Sequence, residues 1–60
     1  MVDVRAEMEE HEALALAQLL KRIGYQEIRA NAVDDEEAET MIRAIYKAQK
    51  GLEEAGFSPR

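Results

Sequence analysis

The chain has 60 residues, 13 acids against 8 bases, a formal net charge of −5, and no cysteine or tryptophan. That length fits one small helical domain over residues 1–60, with no disulfide to reinforce a core that buries only about 60% of the unfolded surface. The acidic balance argues against direct binding to nucleic acid or an anionic membrane, and no secretory h-region or apolar span of roughly 20 residues is present, so a cytoplasmic protein is expected.

In chain order, Val2, Val4, Ala6 and Met8 alternate with Asp3, Arg5 and Glu7. A period of two also fits a short strand. A lone strand has nothing to pair with in so small a helical chain unless a second copy supplies it. Residues 1–8 are therefore expected to be extended or frayed.

The run HEALALAQLLKRI follows. At 100° per residue it sets Ala13, Leu16, Leu19, Leu20 and Ile23 on one stripe and leaves Leu14 on the outer face. Glu9 and Glu12 intrude on the backward projection of that stripe, so the helix either overhangs its partner there or begins near Met8. Gly24 is expected at the C′ position in a left-handed conformation, with Tyr25 packed on Leu20.

The connecting segment GYQEIRANAV lacks the Asn-Gly or Pro-Gly punctuation of a tight turn. Ile28 and the neighbouring alanines indicate a short helical turn across the end of a hairpin.

A longer helix then begins at VDDEEAE. Asp34 is a natural N-cap, and Glu37 stands at capping-box spacing. Ala38, Met41, Ile45, Ala48, Leu52 and Ala55 share one stripe, with Met41 at the centre of the expected core. Glu36, Glu39, Arg43, Lys47, Lys50 and Glu54 lie opposite, and Glu39 and Arg43 have favourable i,i+4 order. Gly51 interrupts this helix at about 1 kcal/mol relative to alanine. Gly56 is expected at C′, with Phe57 against Leu52, and Pro59 prevents continuation. The expected fold is all-α: an antiparallel helical hairpin with a short connecting helical turn, three helices in all.

Chemistry-bearing residues are scarce. His11, Ser58 and Thr40 are single examples of their types, so a nucleophile–base–orienter arrangement has little to work with. A di-iron bundle would want Glu three residues before His11, where Met8 stands; Glu7 precedes it by four. No catalytic residue, no metal and no cofactor is expected.

The carboxylates form two clusters, Glu9, Glu10 and Glu12 before the first helix and Asp34, Asp35, Glu36, Glu37 and Glu39 before the last. One reading makes them a partner-binding surface that competes for a basic, nucleic-acid-binding groove on another protein. The other makes them complements of the helix dipoles, since both helices run acid-first and base-last. Asp34 and Glu37 serve first as caps, while Asp35, Glu36 and Glu39 are freer to face a partner. Leu14, Ile42 and Tyr46 give the helices a second apolar flank, suited to self-association as a homodimeric four-helix bundle.

The stretch ALAQLLKRIGYQEIRANAVDDEEAETM, with the ending GLEEAGFSPR, resembles a family of short acidic bacterial proteins from prophages and other mobile elements. The similarity covers residues 14–60, and its most specific part is RANAVDD after the KR-x-G helix ending. No functional residue carries over from it. The resemblance implies a place in the bacterial host cytoplasm and a role as an inhibitor of host defence. The best-known class is the anti-CRISPR proteins, and the expected target is a type I CRISPR interference complex whose DNA-binding surface is blocked. The alternative is a homo-oligomeric regulatory or antitoxin-like accessory protein.

Overall fold

A computed structural model describes residues 1–57. The helices are α1 (Glu10–Arg22), α2 (Tyr25–Asn31) and α3 (Asp35–Glu54). Both α1 and α2 pack on α3. Residues 1–9 form neither helix nor strand. The all-α hairpin with a helical turn at its junction is therefore the observed architecture.

Local signals explain where most of these elements start and stop. The Glu12 carboxylate accepts a hydrogen bond from the Glu9 N–H at 2.8 Å. Those two acids interrupt the apolar stripe because they build the start of α1, which begins at Glu10 rather than near Met8. At α3, Asp34 Oδ1 accepts from the Glu37 N–H at 2.8 Å. The reciprocal bond goes one residue further back than a strict capping box, from the Val33 N–H to Glu37 Oε1 at 2.8 Å. At the other end Gly56 has φ +94°. The Phe57 N–H donates to Leu52 O at 2.8 Å and the Gly56 N–H to Glu53 O at 2.9 Å. That pair of bonds is a Schellman ending, and its left-handed residue favours glycine. Pro59 lies outside the described residues.

Gly24 behaves differently from the expectation. Its φ of −94° and ψ of 167° are extended, and it is the N-cap of α2. Helix α1 ends through Ile23, whose N–H donates to Leu19 O at 2.9 Å. Because α2 begins at the very next residue, the chain needs an extended residue at position 24 to change direction, not a left-handed one.

Among the described residues the buried set is small: Ala13, Ala17, Ile28 and Ala38. Leu14, Leu16, Leu20, Ile23, Met41, Ile45 and Leu52 are only half-buried. Two expectations about the stripes are corrected. Leu19 is exposed and Leu14 is half-buried. The buried line of α1 runs through Ala13 and Ala17, and Leu19 lies about 200° around the helix from Ala17, while Leu14 lies within about 60° of it. On α3, Ala48 and Ala55 are exposed although they continue the stripe of Ala38.

Candidate interaction surfaces

The start of α3 gathers five carboxylates within six residues, and three of them have partners. Asp34 and Glu37 are bonded to backbone N–H groups as described above. Asp35 Oδ1 accepts from Arg29 Nε at 2.7 Å. Arg29 Nη1 also donates to Ala32 O at 3.2 Å, so this guanidinium ties the end of α2 to the start of α3. Asp35 is thus engaged, contrary to its expected freedom. Glu36 and Glu39 make no side-chain hydrogen bond or ion pair among the described residues.

The expected Glu39–Arg43 pair does not form. Arg43 Nη2 instead donates to Thr40 Oγ1 at 3.1 Å, and that hydroxyl donates to Glu36 O at 3.1 Å. In the first cluster, Glu12 serves the Glu9 N–H while Glu10 stands exposed. The acid-first, base-last rule holds for α1, whose last turn carries Lys21 and Arg22. It fails for α3, whose last turn has no base and ends in Glu53 and Glu54. Dipole complementarity accounts for α1 and for the acidic start of α3, and leaves its C-terminal end uncompensated.

His11 is exposed, and no group of three or more potential metal ligands occurs among the described residues. No helix among them is long and apolar enough to cross a membrane.

Two grooves flank α3, the larger mostly apolar and the smaller mixed. The larger, about 830 Å³, lies between the N-terminal arm and the α1–α3 face, lined by Val2, Val4, Ala6 and Met8 on one side and Leu16, Ala44, Ala48 and Leu52 on the other. The smaller, about 230 Å³, is lined by Leu20, Ile23, Tyr25, Ile28, Ile42 and Tyr46 together with the polar Lys21 and Gln49. Ile42 and Tyr46 are therefore brought together, with Tyr46 exposed, whereas Leu14 lines neither groove. The larger groove was not among the sequence-derived sites. Its only sequence signal is the alternation at positions 2–8.

Over its whole length, residues 1–60, the chain matches the model of a family of unknown function, DUF7706. The chain belongs to the DUF7706 family. Comparison with curated proteins and with solved structures found no match. In this DUF7706 member two grooves open beside α3, and of the eight clustered carboxylates Glu10, Glu36 and Glu39 make no side-chain hydrogen bond or ion pair among the described residues.

Proposed function

We propose that this DUF7706 protein is a non-enzymatic, self-associating helical interaction module of regulatory or antitoxin-like accessory type. The carrying observation is the mismatch between core and surface. Among the described residues three alanines and one isoleucine are buried, no large side chain is fully buried, and Leu19, Tyr25 and Tyr46 are exposed. Alanines bury little area per residue, so a monomer gains little from its own core. Association is the ordinary way for such a chain to bury the remainder.

The test is thermal unfolding across a hundredfold range of protein concentration, with sedimentation in parallel. A self-associating protein raises its Tm by about 5 °C or more over that range. Where the helix flank of Ile42 and Tyr46 does the joining, the Ile42→Glu/Tyr46→Glu double variant weakens association at least tenfold, because it puts two charges into the smaller groove. A monomer with a concentration-independent Tm overturns the reading.

One observation favours a second reading, in which the module inhibits a type I CRISPR interference complex by docking carboxylates on its basic DNA-binding surface. Glu10, Glu36 and Glu39 are exposed and have no partner among the described residues. Binding of this kind weakens steeply with salt. Replacing the three with lysine abolishes it with helix content unchanged, measured by pull-down of the complex and circular dichroism. Unaltered capture by the triple variant rejects the reading.

A further inference from the structure

We infer that two copies join through an antiparallel two-stranded ribbon made of residues 2–6 of each arm, with Val4 opposite Val4 of the second copy, and that the apolar side of this ribbon closes the groove between α1 and α3. The inference rests on the self-association proposed above and adds which segment does the joining and in what register.

The arm has the chemistry of an unpaired strand. Its apolar residues alternate with Asp3, Arg5 and Glu7, and Val2, Val4, Ala6 and Met8 all line the groove, with Asp3 the one charged arm residue that joins them. In a strand, that alternation sets one apolar side toward the helices and one charged side toward solvent. Yet Val2 and Val4 remain 87% and 86% exposed, and no strand among the described residues pairs with the arm. A second arm supplies both the missing hydrogen-bond partners and the missing apolar cover.

Charge selects the register. Asp3 and Arg5 lie on the same side of the arm, Oδ2 and Nη2 4.0 Å apart, with side chains more than nine-tenths exposed. A two-fold axis through Val4 places Asp3 of each copy opposite Arg5 of the other, and Val2 opposite Ala6. An axis through Asp3 or through Arg5 opposes like charges across it, and an axis through Ala6 sets Asp3 against Glu9. Opposed opposite charges favour a cross-strand pairing and like charges oppose it, so of these four registers only the one through Val4 is free of conflict.

The exposed area is the right size for a second copy. The accessible surface is 5151 Å². A compact monomer of 6.8 kDa is expected to expose about 3,950 Å². The excess, roughly 1,200 Å², exceeds the roughly 800 Å² per partner of a standard interface.

The chain has no cysteine, which gives a direct test on the full-length protein. Directly opposite strand residues have Cα atoms about 4.5–5.5 Å apart, within disulfide reach. Val4→Cys therefore cross-links the dimer under mild oxidant at micromolar protein. Val2→Cys, whose two copies lie about 14 Å apart in this register, cross-links at least tenfold more slowly. Arg5→Asp weakens dimerisation at least tenfold by sedimentation, and the charge-exchanged Asp3→Arg/Arg5→Asp variant regains it. All four positions are on the arm, outside the helices, so helix content stays constant. Equal cross-linking of the two cysteine variants, or a dimer indifferent to Arg5→Asp, overturns the ribbon while leaving self-association through the helix faces in place. A monomer at all concentrations overturns both.

Discussion

Ile28→Ala detaches α2 from α3 and costs about 2–5 kcal/mol, the usual range for truncating a buried isoleucine. Ile28 is the only buried residue of α2 and the only large side chain among the four buried residues. A seven-residue helix has no stability of its own. What would remain to hold it is the Arg29–Asp35 pair at 2.7 Å, with Asp35 82% exposed, and an exposed ion pair contributes at most about 1 kcal/mol. Urea unfolding followed by circular dichroism measures the effect as a fall in the midpoint at nearly constant slope. Since small domains have only about 5 kcal/mol or less to lose, a large unfolded fraction in buffer is the expected extreme. A loss below about 1 kcal/mol would mean that α2 is held by something other than this side chain.

Ala38→Leu is the complementary experiment, adding volume where the first removes it. Ala38 has no exposed surface at all and lies on α3, against which both other helices pack. Overpacking of this kind costs about 1–3 kcal/mol. Leucine is nearly as good a helix former as alanine, so the loss reports tertiary packing and not helix propensity. The same substitution at Ala30, which is exposed on α2, changes stability by no more than about 0.5 kcal/mol. Equal effects at the two positions would mean that α1 and α2 do not close over Ala38.

The carboxylates show how far a functional reading of composition extends. Eight acids in two clusters look alike in the sequence, yet Asp34, Glu37 and Glu12 bond backbone N–H groups near helix starts and Asp35 holds Arg29. The caps at Asp34 and Glu37 were legible, because a cap and the N–H it accepts from sit within four residues of each other, whereas Glu12 read only as an interruption of the apolar stripe. The Arg29 bond was not, because it requires the turn between α2 and α3 to bring residues six apart within 2.7 Å. What remains for a partner is a smaller anionic surface than the charge count implies.

The helix start at Asp34, the stop at Gly56, the helical turn around Ile28 and the all-helical class were determined by the sequence alone. Each depends on groups within one or two turns of one another, where spacing dictates contact. Tertiary structure decided the rest. The immediate start of α2 made Gly24 an extended cap, and a contact line through Ala13 and Ala17 turned Leu19 outward. The same packing left Ala48 and Ala55 uncovered beside the arm. A helical stripe defines which residues can be buried, but the length and approach of the neighbouring elements define which of them are. Here α1 and α2 approach α3 so that Ala38 is buried while Ala48 and Ala55, further along the same stripe, stay exposed.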